Sequence, residues 1–184
     1  MIFLPASERA AQPWKNGGGV TREVAAFPPG SGLDNFDWRV SIADVATDGP
    51  FSLFPEIDRT LTILSGDGIL LDVAGRASRL LPGEPHSFPG DQPAGATLLG
   101  GAVTDLNVMS RRGLIAHEVV ALTSARTLRV AEGVLVWIAG TGRIVGPENS
   151  AELGPFDALV AQTSEIWAIE GETFLAYYAA FTRL

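Results

Sequence analysis

The chain has 184 residues, 46% hydrophobic and 18% charged, with a formal net charge of -8 at pH 7. That balance describes a globular protein with a sizeable core and excludes intrinsic disorder, while the acidic charge argues against a nucleic-acid or anionic-membrane partner. It contains no cysteine, which excludes disulfides, thiolate metal ligands and cysteine nucleophiles and fits a reducing compartment.

Ile2–Leu4 is expected to be a short strand. No signal-peptide core and no run of about 18 apolar residues appears, so a cytoplasmic protein that does not span a membrane is expected. Trp14-Lys15-Asn16-Gly17-Gly18-Gly19 leads into a strand pattern at Val20–Ala26. A phosphate-binding loop needs Lys-Ser/Thr after its glycines at the start of a helix. A strand follows here, so the glycines read as a bulge or wide turn that lets backbone pass close to a neighbour. Lys15 and Asn16 stand where this loop would close the mouth of a cavity.

The stretch 36–59 begins with strict alternation. Trp38, Val40 and Ile42 share one face of a strand, and Arg39, Ser41 and Ala43 share the other. Only one face can line an interior; the other then needs a cover. Asp48-Gly49-Pro50 reads as a turn. In the next strand, Arg59 shares a face with Leu61 and Ile63. A guanidinium on an apolar wall stays charged, so it calls for an anion, either an internal aspartate (Asp58, Asp44 or Asp48) or a ligand. Its planar fork suits a carboxylate. Further on, Asp105, Asn107, Met109 and Arg111 share a strand face. Arg39, Ser41, Arg59 and Asn107 are expected to converge on one small anion in an otherwise apolar pocket.

The strand–Gly-x-Gly–strand unit at residues 61–68 recurs at 134–142, with both glycines displaced by a constant 74 residues. Weaker echoes follow, with a shrinking offset, which indicates a duplicated module with shorter loops in the second copy. No stretch sustains a 3.6-residue period, and turn residues recur among short apolar runs. The fold class is therefore all-β with little helix, as a sandwich or barrel. The expected division is 1–113, a first module with the N-terminal strands and the ligand cavity, and 114–184, a degenerate second module packed on it. Its apolar runs, with Trp137, Trp167, Tyr177 and Tyr178, suit structural support and leave room for a homodimer contact. His86 and His117 are the only histidines, too few for an imidazole-rich metal site, so no metal or cofactor is expected. Nothing matches a nucleophile elbow or a glycosidase carboxylate pair.

Taken together, Trp14-Lys15-Asn16-Gly17-Gly18-Gly19-x-Thr21, Trp38-Arg39-x-Ser41-x-Ala43, Asp48-Gly49-Pro50-Phe51-Ser52, Asp58-Arg59, Leu64-x-Gly66-x-Gly68 and Asp105-Leu106-Asn107-Val108-Met109-x-Arg111 resemble the HutD/Ves family in order and spacing. The resemblance is dense over residues 14 to 112 and in outline beyond. It implies a small cytoplasmic bicupin, two cupin-like double-stranded β-barrels in tandem, tied to bacterial histidine utilisation as a ligand-binding or regulatory factor rather than an enzyme. The implied ligand is a small carboxylate, such as urocanate or formylglutamate. The alternatives are a metal-free cupin enzyme, an isomerase or hydrolase acting on a small organic acid, and a ligand-free interaction module.

Overall fold

The computed structural model describes residues Met1–Leu184 and contains nineteen strands and one 3-10 turn, Ala6–Glu8. The all-β expectation holds. In chain order the strands are β1 (Ile2–Leu4), β2 (Ala11–Pro13), β3 (Gly19–Phe27), β4 (Trp38–Val45), β5 (Gly49–Pro50), β6 (Ile57–Ser65) and β7 (Ile69–Val73). They continue as β8 (Arg76–Leu80), β9 (His86–Pro89), β10 (Ala94–Leu98), β11 (Val103–Arg111), β12 (Ile115–Leu122) and β13 (Arg126–Val130). The last six are β14 (Gly133–Ala139), β15 (Gly142–Val145), β16 (Ser150–Leu153), β17 (Ala158–Ala161), β18 (Glu165–Glu170) and β19 (Leu175–Arg183).

The chain divides into two compact units. One is Ala10–Ala116 with the terminal Leu184; the other is His117–Arg183 with Met1–Arg9. The first nine residues group with the His117–Arg183 unit. The physical reason is strand pairing: β1 lies antiparallel to β17, Ile2 opposite Val160 and Leu4 opposite Ala158. Arg9 then donates to the Phe156 and Leu4 carbonyls, which ties the end of this segment to the same unit.

The Ala10–Ala116 unit has a six-stranded sheet in the order β2-β3-β4-β11-β6-β9 and a four-stranded sheet in the order β5-β10-β7-β8. The other unit has β1-β17-β14-β19-β12 and β13-β18-β15-β16. All registered pairs are antiparallel, and neither unit closes its two sheets into one continuous barrel. The two topologies nonetheless correspond strand for strand. Adding eight to each strand number turns β4-β11-β6-β9 into β12-β19-β14-β17, and β5-β10-β7-β8 into β13-β18-β15-β16.

Register carries the correspondence to single residues. Across β6 and β11, Arg59 pairs with Met109, Leu61 with Asn107 and Ile63 with Asp105. Across β14 and β19 the matching pairs are Gly133 with Ala180, Leu135 with Tyr178 and Trp137 with Ala176. Each ladder then slips by one residue at the same place, leaving Leu64 and Ile138 as the extra residues of a bulge. The glycine after each bulge is fixed by close approach as well as by positive φ. A Cβ on Gly66 would meet the Ala102 carbonyl oxygen at 2.7 Å, and one on Gly140 would meet that of Thr173.

Leu61, Ile63, Ile69, Leu71 and Val103 form the apolar interior of the first unit, and Leu135, Trp137, Leu159, Trp167 and Ile169 that of the second. Each such side chain contributes roughly 1.5–3 kcal/mol on burial. Gly49 and Pro50 do more than turn the chain. They pair with Ala96 and Gly95 as a two-residue strand, and Asp48 Oδ1 accepts from the Leu98 amide at 2.8 Å to hold it there.

Candidate functional site

Within the Ala10–Ala116 unit lies a cavity of about 590 Å³. The face of β4 that lines it carries Arg39, Ser41 and Ala43; Trp38, Val40 and Ile42 point the other way and are buried too. β11 contributes Asp105, Asn107 and Met109, and β6 contributes Arg59. Alternation on three adjacent strands therefore sets these side chains side by side: Asn107 opposite Ser41, Met109 opposite both Arg39 and Arg59. Lys15 and Asn16 belong to the same lining and are exposed. All six residues singled out from the sequence meet at one cavity. Sequence reasoning left out Asp105 as a site residue, although its face-sharing with Asn107 was visible, and Phe51 and Phe54, signalled only by an aromatic run.

The two arginines have different surroundings. Arg39 donates from Nε to Glu23 Oε2 at 2.8 Å and from a terminal nitrogen to Ser41 Oγ at 3.1 Å, so its charge is matched by β3. Arg59 is only 5% exposed and forms no ion pair. The aspartates expected as its internal partners are engaged elsewhere: Asp58 with Arg112, Asp44 with Arg22, and Asp48 with the Leu98 amide. Arg59 donates one hydrogen bond, to Asn107 Oδ1 at 2.7 Å, and its buried Nε has no partner. Three rings surround its guanidinium carbon, Phe88 at 5.1 Å, Phe51 at 5.2 Å and Phe54 at 5.6 Å. Cation–π contact of this kind contributes about 0.5–2 kcal/mol per ring. Even so, loss of hydration pushes the Arg59 pKa down to about 10, with the Asp105 charge opposing the fall and Arg39 adding to it.

Asp105 is the cavity's one acid. Its cross-strand neighbours are Ala43 and Ile63, and burial pushes its carboxyl up to about 7 against the pull of Arg59 and of the Asn107 hydrogen bond. Asn107 links the two charged groups, donating from Nδ2 to Asp105 Oδ1 at 2.6 Å while accepting from Arg59. The arrangement offers a buried cation with unused hydrogen-bonding capacity at the end of a partly apolar pocket.

The glycine loop shapes the cavity edge. Trp14 Nε1 donates to Thr21 Oγ1 at 2.8 Å, and Asn16 Oδ1 accepts from the Gly18 amide at 3.0 Å, so Asn16 uses its oxygen to form the turn. A Cβ on Gly19 would meet the Asp44 carbonyl oxygen at 2.6 Å, the close backbone approach expected of the glycine run. Arg111 ends the β11 face outside the cavity, donating to the Phe36 carbonyl at 2.8 Å. His86 is half-buried on β9 opposite Leu61 and does not line the cavity.

The donor set does not fit the divalent metal that many cupins hold. The lining presents one carboxylate beside Arg39 and Arg59, and nowhere do three or more histidine or acidic side chains cluster with metal-binding geometry. A larger open depression of about 780 Å³ on the small sheet offers Asp48 and Asp72 as its charged groups and no cation.

In the second unit the matching place is filled by side chain. The positions of Arg59, Asn107 and Asp105 are taken by Gly133, Tyr178 and Ala176. A Cβ on Gly133 would lie 2.5 Å from the Tyr178 hydroxyl, so the tyrosine fills the space a side chain at 133 would need. Its hydroxyl receives the Ala131 amide at 3.2 Å.

Paired antiparallel sheets with a few polar side chains inside define a class. A cupin 2 conserved barrel domain protein from Leptotrichia buccalis superposes with a TM-score of 0.62, at 10% identity, over 94% of this chain and 92% of its own. The protein is thus all-β with a cupin-like fold. It belongs to the HutD family, whose sequence profile matches residues 6–176. Protein Ves from Cronobacter sakazakii is 31% identical over 180 residues, 96% of this chain and 97% of that one. An uncharacterized 21.2 kDa protein in the hutC 3' region of Pseudomonas putida is 46% identical over 108 residues, 58% of this chain and 56% of that protein's length. HutD from Pseudomonas fluorescens SBW25, solved in a formate condition, superposes with a TM-score of 0.85 at 28% identity, over 100% of this chain and 98% of its own. No helix is long and apolar enough to cross a membrane.

Proposed function

We propose that the protein binds a small carboxylate in the Ala10–Ala116 cavity and acts as a non-enzymatic regulatory factor of histidine utilisation. In this reading the two units are tandem copies of one cupin-like barrel, of which only the first keeps a ligand cavity. The observation that carries it is the state of Arg59: a buried guanidinium with an unpartnered Nε and no ion pair, with Asp58, Asp44 and Asp48 engaged elsewhere and Asp105 reached only through Asn107. A carboxylate would complete its hydrogen bonds in a low-dielectric site, where charge-assisted bonds are strong. Trp14, Phe51, Phe54 and Met109 suit an apolar or unsaturated body behind that carboxylate. Urocanate and formylglutamate are ligands of this chemistry, and the names of the Pseudomonas relatives support a link to the hut genes.

The test is titration calorimetry with urocanate, formylglutamate and formate on the wild-type chain and on Arg59→Met. Loss of one partner from a buried charge pair costs about 2–5 kcal/mol, so at least about 30-fold weaker binding is expected in the variant. Equal affinity would remove Arg59 from the site. A catalytic reading has one observation in its favour, a buried acid near neutral pKa inside the cavity. Conversion of urocanate, followed by its absorbance, or release of formate from formylglutamate would establish it.

A further inference from the structure

We infer that the cavity takes up a proton together with its carboxylate, and that Asp105 is the group that receives it. The inference rests on the carboxylate-binding reading above and deepens it, because it makes the net species accepted a neutral acid rather than an anion.

The surroundings of Asp105 leave it little support as an anion. Ala43 on one side and Ile63 on the other offer it no donor. Asn107 Nδ2 binds Oδ1, and Oδ2 receives no hydrogen bond. Among the charged groups, Arg59 faces it from β6 and Arg39 from β4, the latter already matched by Glu23 of β3. Asp44, on the opposite face of β4 from Ala43, is paired with Arg22. Lys15 stands at the exposed edge of the lining, and His86 on β9 lies outside it. Arg59 is therefore the one cation without an ion pair inside, and Asn107 couples it to Asp105.

An anion on Arg59 changes the balance in two ways with the same sign. It cancels the positive field that favours the ionised Asp105, and it adds a second negative charge in a region of low dielectric. Two ionised carboxylates around a single guanidinium leave one negative charge uncompensated, which disfavours ionisation of the pair. One proton from bulk water, forming an O–H bond at Oδ2, restores neutrality without breaking any bond in the protein. Burial already pushes this carboxyl up to about 7, so the added anion moves it through the neutral range.

The experiment uses the full chain and formate as probe, titrated at pH 5 and pH 8 in two buffers of different ionisation enthalpy, which counts protons taken up per formate bound. Near-zero uptake is expected at pH 5, where Asp105 already carries its proton, and about half a proton or more at pH 8. Affinity should fall up to about tenfold per pH unit above neutrality. Asp105→Asn should bind formate with no uptake at either pH and a flat affinity, whereas His86→Gln should keep the wild-type uptake. Formate binding at pH 8 without proton uptake, or uptake that survives in Asp105→Asn, overturns the inference while leaving carboxylate binding intact. Absence of formate binding at both pH values overturns the carboxylate reading and this inference together. Should Asp105→Asn fail to fold, wild type and His86→Gln decide: uptake at pH 8 absent from wild type or lost in His86→Gln overturns the assignment.

Discussion

Replacing Arg59 by methionine separates a residue held for function from one held for structure. An arginine that anchors a fold through a buried ion pair costs about 3–5 kcal/mol when its partner is stranded. Arg59 has no such partner. The fall of its pKa to about 10 corresponds to roughly 3 kcal/mol of unfavourable burial, which methionine, of similar length and apolar, removes. Against this stand the contacts with three phenylalanine rings, worth about 0.5–2 kcal/mol each, and the hydrogen bond to Asn107, worth about 1.5–3 kcal/mol to a charged group. Methionine also keeps sulfur–aromatic contacts of about 0.3–1.5 kcal/mol per ring, which offset most of the rest, so Arg59→Met should change unfolding stability by no more than about 2 kcal/mol, in either direction. Urea unfolding followed by tryptophan fluorescence measures it, alongside the calorimetric loss of carboxylate binding. A loss of stability above about 3 kcal/mol would refute the reasoning, because it would make Arg59 a structural residue.

Three further outcomes follow from the same geometry. Asp105 has its folded pKa raised to about 7, so the stability it contributes is fully present below the unfolded carboxyl pKa and is lost as pH rises through about 7. Wild type should lose roughly 2–3 kcal/mol between pH 5 and pH 8 through this group, and Asp105→Asn should flatten that slope in urea unfolding at the two pH values. Glu23→Gln leaves the buried Arg39 without its anion; because Glu23 is itself 38% exposed, the cost should be limited to about 1–2 kcal/mol, read from the urea midpoint. Gly133→Ala places a methyl group 2.5 Å from the Tyr178 hydroxyl and 2.6 Å from the Ala179 carbonyl oxygen. It should destabilise by about 1–3 kcal/mol in thermal unfolding while formate binding is unchanged.

Much of the fold and of the cavity lining is legible along the chain, for identifiable reasons. Strand alternation is a local property, so the residue order alone assigns Arg39 with Ser41, and Asp105 with Asn107, to shared faces. It does not choose between the two faces of β4, because both are buried and a periodic pattern carries no sign. The constant offset of 74 has its counterpart in the matching strand orders of the two units. Register keeps it at 74 from Leu61 to Leu135 and shortens it to 71 from Asn107 to Tyr178, as loop shortening requires. Asp105 does not stand out in the sequence because aspartates favour turns and strand starts, and its place opposite Ile63 depends on the Leu64 bulge, which no residue pattern announces. The partner of Ile2–Leu4 is more than 150 residues away, a pairing that local sequence cannot specify. The engagement of Asp58, Asp44 and Asp48 is equally out of reach, since each partner comes from a distant strand or loop and twelve arginines compete for the role.

The meeting of Gly133 and Tyr178 constrains how either position can change. One position has no side chain because the other occupies its space, so each residue is conditional on its partner. Enlarging position 133 first forces the tyrosine off Ala131; trimming position 178 first leaves a void lined by tryptophan and leucine. A variant in which the second unit acquired an interior like the first would have to change both sites together. The pair therefore works as a latch: the interior of that unit stays filled unless both changes arrive together.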